Sequence, residues 1–241
     1  MRAMVSAEQQ IVLLGSGFTG NGAGGWEVNP LVSHVLSLTG KPDPRVCVLN
    51  TALGDEGRSY AQLYSAFAQA GARPSHLALF PMPNVVDPHR HLLDQDVIFV
   101  GGGSVANMVA VWRVHGVDGA LRACWDRGVI LCGVSAGAIC WFDGGTTDSF
   151  GYELSAFTGG LGFIPGSYSP HYDTESRRRP TFQRLVGDGT LSPGWATDEG
   201  VAMRFAGTEL VDTFTDRDGA AAFRVEPGAE HRIEPRRLPG T

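Results

Sequence analysis

Residues 129–142 read Val129-Ile-Leu-Cys-Gly-Val-Ser-Ala-Gly-Ala-Ile-Cys-Trp-Phe142. An apolar run of strand length leads into Gly133-Val134-Ser135-Ala136-Gly137, and an apolar helix is expected directly after it. Gly-x-Ser-x-Gly between a strand and a helix describes a sharp turn, whose small neighbours let the serine hydroxyl project over the strand ends. The amino terminus of the helix would favour negative charge developing there. Ser135 is therefore a candidate nucleophile; the competing reading is a tight turn with a helix-capping serine.

Similar short apolar runs at 11–14, 46–49, 77–80 and 97–100 accompany the one at 129–132. Continuous runs of this kind suit strands covered on both faces, as in a parallel sheet. Between them lie helical spacings: Tyr60, Leu63, Tyr64 and Phe67; Val105, Met108, Val109 and Trp112; Leu121, Cys124 and Trp125. Strand and helix alternate, which implies a doubly wound, mostly parallel α/β sheet sandwiched by helices, with ligands gathered beyond the carboxyl ends of its strands. After Phe142 comes a loop-rich stretch, then late strands over 195–205, 209–214 and 220–225 that read as partly antiparallel. Residues 1–241 are expected to form a single domain, and the tail from Glu226 reads as an ordered edge or a frayed end.

A chain of 241 residues that is 43% hydrophobic can bury the core of one such domain. The net charge of −6, with no long run of Lys or Arg, argues against a nucleic-acid partner. No apolar run reaches the ~20 residues of a membrane helix, and residues 1–10 lack the apolar core of a secretory signal, so the chain reads as cytoplasmic. The cysteines (Cys47, Cys124, Cys132, Cys140) lack metal-ligand spacing, so neither a metal site nor a disulfide framework is expected.

A serine needs a base. Seven histidines are available. His171, in Tyr168-Ser-Pro-His-Tyr-Asp173, follows a proline that enforces an extended approach. His115 sits at a helix end, while His76, His89 and His91 fall in or beside connections. An oxyanion hole is also required, and Phe99-Val-Gly-Gly-Gly-Ser104 follows a buried strand and precedes a helix. Its glycine amides, Gly102 or Gly103, with that of Ala136, could form the hole. Gly15-Ser-Gly-Phe-Thr-Gly20 matches a dinucleotide fingerprint, but it runs on into Asn21-Gly-Ala-Gly-Gly25 with no acidic residue about twenty positions on. A flexible flap over the site fits that segment better.

Together these residues resemble the serine peptidases of the peptidase E and cyanophycinase type, which share the class I glutamine amidotransferase-like fold. The resemblance rests on the ordered motifs Val100-Gly-Gly-Gly103, Gly133-Val-Ser-Ala-Gly-Ala138, Ser169-Pro-His-Tyr172 and Thr197-Asp-Glu-Gly200, and covers the chain to about Phe205. It implies that Ser135 is the nucleophile and His171 the base. For the acid, Glu199 resembles the cyanophycinase glutamate and Asp148 an aspartate assigned in peptidase E; Glu199 is preferred because a strand end is held more rigidly than a loop. Arg177, in Glu175-Ser-Arg-Arg-Arg179, resembles the arginine that reads an amino-terminal Asp, although three consecutive arginines also describe a solvated surface. Ser104 departs from the Asn that relatives commonly carry after the glycines.

The expectation is a peptidase acting on small peptides, with Asp-X dipeptides as candidate substrates, as a monomer or homodimer, without metal or cofactor. Two alternatives stay open. An ester or amide hydrolase of the α/β-hydrolase type would place its acid between Ser and His in chain order, as Asp148 would be. A binding domain that has lost activity would keep the fold alone.

Overall fold

The computed structural model describes residues 8–20, 22 and 24–239. The chain opens with strand β1 (Gln10–Leu14), a hairpin of β2 (Phe18–Gly20) and β3 (Trp26–Val28), and helix α1 (Pro30–Ser37). Then follow β4 (Arg45–Leu49), α2 (Gly57–Gln69), β5 (Arg73–Leu77), α3 (Pro88–Leu93), β6 (Val97–Val100), α4 (Val105–His115), α5 (Val117–Asp126) and β7 (Ile130–Val134). Beyond β7 come the one-turn helix α6 (Ala136–Ile139), β8 (Gly144–Thr147), β9 (Ser155–Phe157), β10 (Ser167–Ser169), α7 (Arg178–Gly187) and β11 (Gly194–Thr197). The chain ends with β12 (Val201–Ala206), β13 (Glu209–Thr215), β14 (Ala222–Glu226), β15 (Ala229–Ile233) and β16 (Arg236–Arg237).

The larger sheet has the order β16-β13-β12-β1-β7-β6-β4-β5. It is parallel from β1 to β5 and antiparallel where β12 joins β1 and β13. Alternate residues of each central strand face opposite cores. Leu13, Leu49, Ile98 and Leu131 pack with α4 and α5, whereas Leu14, Val48, Phe99 and Cys132 pack with α1, α2 and the hairpin. That two-sided burial is why these strands are continuously apolar. The amphipathic spacings behave likewise: Val105, Met108, Val109 and Trp112 are all at most 1% exposed on α4. Among the described residues no helix is long and apolar enough to cross a membrane.

Several expected elements are corrected. The strand expected at 77–80 is instead β5, Arg73–Leu77. It is the edge of the sheet, so Pro74 and polar residues are tolerated and the apolar signal is lost. His76 consequently lies within β5, and His89 and His91 lie within α3. The stretch 195–205 is two strands in different sheets, broken at Asp198-Glu199-Gly200. The region after Phe142 contributes to a second sheet, ordered β15-β14-β11-β10-β8-β9, which the sequence did not announce. Its first strands are short and rich in Gly, Ser and Thr, so neither length nor hydrophobicity marks them. The tail is ordered as β15 and β16.

Aromatic packing joins the sheets. Phe205 on β12, fully buried, meets Trp195 of β11 edge-on at 5.9 Å and Phe142 at 6.1 Å, and Phe142 stacks on Tyr168 of β10 at 5.5 Å. On the far side, α7 covers the second sheet through Phe182, Leu185 and Val186. Phe205→Ala is expected to lower the unfolding free energy by about 3–5 kcal/mol in urea titration, the cost of a cavity where the two sheets meet.

Candidate active site

Ser135 stands between β7 and α6 with φ 52° and ψ −117°, a left-handed conformation that costs a non-glycine residue roughly 1–3 kcal/mol. The flanking glycines show what imposes it. A Cβ on Gly133 would collide with the carbonyl of Gly137, and one on Gly137 would collide with the carbonyl of Val100 at the end of β6. Three backbone segments therefore meet without side chains between them, and the elbow projects Ser135 instead. The helix that follows is a single turn, shorter than the apolar run suggests, before the chain bends to bond residues 161–164.

The glycine loop after β6 lies against this elbow. A Cβ on Gly102 would come within 3.2 Å of Ser135 Cβ. The amide of Gly101 donates to Leu49 O and that of Ser104 to Ala52 O, both at 2.9 Å. Between them the amides of Gly102 and Gly103 donate to no acceptor among the described residues, and neither does that of Ala136. Gly103, with φ 127° and the Ala52 carbonyl pressed against it, has no room for a side chain. Ser104 caps α4, its Oγ accepting the Asn107 amide at 3.2 Å.

His171 and Glu199 come from the second sheet. Strands β10 and β11 are parallel neighbours, with Ser169 beside Ala196, and each residue lies two positions past the end of its strand. Pairing continues beyond Pro170, where the Tyr172 amide donates to Thr197 O at 3.1 Å. His171 Nδ1 makes a short hydrogen bond with Glu199 Oε1, and both side chains are about a quarter exposed, at 21% and 27%. His171 also has a left-handed backbone, φ 56°. Ser135 and His171 are thus two of the three non-glycine residues with positive φ among those described, the third being Asp55. Strain of this kind gathers at functional sites.

The floor beneath is polar and satisfied. Tyr168 Oη and Thr197 Oγ1 share a 2.5 Å bond, Ser169 and Thr146 hydroxyls one of 2.6 Å, and burial pushes the Tyr168 phenol well up. Arg178, 3% exposed, donates to Glu175 at 2.6 Å and to Thr146 O at 2.7 Å, tying α7 to β8.

Other expected residues are placed differently. Asp148 is exposed in the turn after β8, and its carboxylate bonds none of the described residues. Arg177, its side chain 60% exposed, donates to Glu153 at 2.9 Å and to the Tyr152 carbonyl at 3.0 Å. Of the arginine run, Arg178 is buried and Arg179 stacks over Phe223, so the run is not simply a solvated surface. The glycine-rich segment after β1 forms the β2–β3 hairpin, pinned by Phe18 against Phe67 and Phe99, with Asn21 and Ala23 outside the described residues. Its base touches the elbow, where a Cβ on Gly17 would meet Val134 at 3.3 Å.

One neighbour of the site carried no sequence signal. Asp173 Oδ1 accepts the Glu199 amide at 2.9 Å, and Oδ2 pairs with Arg217, 44 residues away. Partial burial pulls the Asp173 carboxyl up, but the bonds from Arg217 and the Glu199 amide outweigh it and hold the group below the ordinary value of 3.8.

A family profile described as peptidase family S51 matches residues 11–212. The chain is 41% identical over 222 residues to the uncharacterized peptidase YgaJ of Bacillus subtilis strain 168, covering 90% of this chain and 95% of that one. Its fold resembles the crystal structure of a peptidase from an acI-B1 actinobacterium, with a TM-score of 0.69 at 18% identity over 95% and 96% of the two chains. It also resembles a protein of Listeria monocytogenes EGD-e assigned as a peptidase E, with a TM-score of 0.60 at 17% identity over 86% and 98%.

Gly137→Ala should shift the elbow, because the new methyl cannot coexist with the Val100 carbonyl. Labelling of Ser135 by a fluorophosphonate is expected to fall at least about tenfold, an effect of about 1.4 kcal/mol, while far-ultraviolet circular dichroism keeps the α/β signature.

Proposed function

The chain belongs to peptidase family S51, a family of serine peptidases, and we propose that Ser135, His171 and Glu199 are its catalytic set. The observation that carries this reading is the His171–Glu199 bond at the ends of adjacent parallel strands. With Nδ1 committed to Glu199, Nε2 is the nitrogen left to act as base. Ser135 Oγ attacks the peptide carbonyl carbon and its proton passes to His171. The oxyanion that forms accepts hydrogen bonds from Ala136 and from Gly102 or Gly103, amides that bond no acceptor among the described residues. Imidazolium then returns the proton to the leaving amine, the C–N bond breaks, and the acyl group stays on Ser135. A water, deprotonated by His171, attacks the ester and releases the acid.

The acid follows the histidine in chain order, unlike an α/β-hydrolase triad, and Asp148 has no part in this arrangement. Four buried, free cysteines fit a cytoplasmic setting.

For the substrate we propose small peptides, with Arg177 reading the carboxylate of an amino-terminal Asp. Six residues past His171, its guanidinium is 60% exposed and able to meet a carboxylate. The Glu153 contact favours a second reading, in which Arg177 holds the segment 148–153 and leaves the amino-terminal residue unselected.

The test is hydrolysis of dipeptides carrying Asp, Glu, Asn, Ala or Lys at the amino terminus. Ser135→Ala and Glu199→Gln are expected to lower kcat about 10³- to 10⁴-fold, and Asp148→Asn less than about twofold. Cleavage confined to Asp-X and lost in Arg177→Ala supports the aspartyl reading. Equal cleavage of Asp-Leu and Ala-Leu supports the second. Activity that survives Ser135→Ala removes the catalytic assignment itself.

A further inference from the structure

Glu199 sits on a turn that other segments clamp. The Thr215 hydroxyl donates to Gly200 O at 2.7 Å, and the Asp216 amide donates to the same carbonyl at 3.2 Å. Asp198 exchanges bonds with Ala221, and the Gly15 amide donates to Val201 O at 2.7 Å. Gly200 has φ 76°, and a Cβ there would lie 2.9 Å from Arg217 Cβ. These contacts fix the backbone of the turn. Besides the His171–Glu199 bond itself, Asp173 links this turn to the segment bearing His171: it lies two residues past the histidine and accepts the Glu199 amide. Arg217, on the clamping turn, fastens the other oxygen of the same carboxylate.

We propose that Asp173 and Arg217 are positioning residues, which hold His171 and Glu199 in register and balance the charge around the imidazolium that catalysis creates. The inference rests on the catalytic reading above and adds two residues to it. The charged surroundings make the balance necessary. Asp173 meets the Glu199 amide from the His171 segment, Asp198 on the turn after β11 lies near Asp173 and Arg217, and Asp216 on the turn after β13 lies near Glu199 and Arg217. Arg232 and Arg237 stand behind Asp198 and Asp216, while Tyr168 and Arg178 lie beneath. Burial pushes the carboxyls of Asp198 and Asp216 up, whereas the bonds from Arg217 and the Glu199 amide hold that of Asp173 down, and Asp173 is the one of the three that bonds the Glu199 amide directly.

The signs follow from Coulomb's law. Arg217→Gln removes a cation and leaves the Asp173 carboxylate unpaired, which favours imidazolium. Asp173→Asn keeps an acceptor for the Glu199 amide but frees the Arg217 charge, which disfavours it. The readout is the second-order rate of fluorophosphonate labelling at Ser135 against pH, which needs no knowledge of the substrate and whose acid limb reports the titration of the base. Arg217→Gln is expected to move that limb up by roughly half a pH unit and Asp173→Asn to move it down by a similar amount. The double variant should return near the wild-type midpoint, and Arg217→Lys, which keeps the charge, should stay there. Shifts in the same direction, or no shift in either single variant, overturn the proposal, since simple loss of order has no reason to reverse sign. Absence of labelling in the wild-type protein would instead overturn the catalytic reading.

Discussion

The structure turns on a close approach of three backbones. The last residue of β6, the last glycine of β7 and the second glycine of the elbow leave no space for a Cβ, and that contact forces Ser135 into a left-handed conformation over the strand ends. A larger residue at either glycine would separate β6 from the elbow. It would also separate the Gly102–Gly103 amides from the serine they flank, because those amides hang from the end of β6. Ser135 and the Gly102–Gly103 amides therefore depend on one packing constraint, and the cost of the strained serine is met by the buried parallel sheet around it.

The second sheet supplies what the first cannot. A doubly wound sheet gathers its ligands at its carboxyl ends, and the parallel pair β10–β11 applies the same geometry again, delivering His171 and Glu199 side by side. Phe142, Tyr168, Trp195 and Phe205 join the two sheets with ring contacts, so His171 and Ser135 are held by one continuous apolar core. Below the histidine the polar groups are paired among themselves, which keeps the floor rigid beneath the His171–Glu199 pair.

Legibility in the sequence followed the range of the interactions. The central strands, α2, α4 and α5 were readable because their burial is written locally, as continuous or helical apolar spacing. The elbow and the glycine loop were readable because close backbone approach demands glycine within a few residues. His171 could be chosen among seven histidines only through resemblance, since nothing local distinguishes it. The sequence favours Glu199 over Asp148 only for its place at a strand end; its bond to His171 depends on two strands being parallel neighbours, a contact spanning 28 residues. Edge strand β5 is only partly buried, and β8 and β10, though buried throughout, are too short and too rich in Gly, Ser and Thr to show an apolar run. Arg178 reads as surface in its run of three, and only the fold shows it buried against Thr146.

The central claim is that Ser135 is a nucleophile activated by His171. Peptide mapping by mass spectrometry after exposure to a fluorophosphonate tests it most directly. The account predicts a single adduct on Ser135 in the wild-type protein, absent in Ser135→Ala and slowed by orders of magnitude in His171→Ala. An adduct on another residue, or labelling of Ser135 at an unchanged rate without His171, would contradict it.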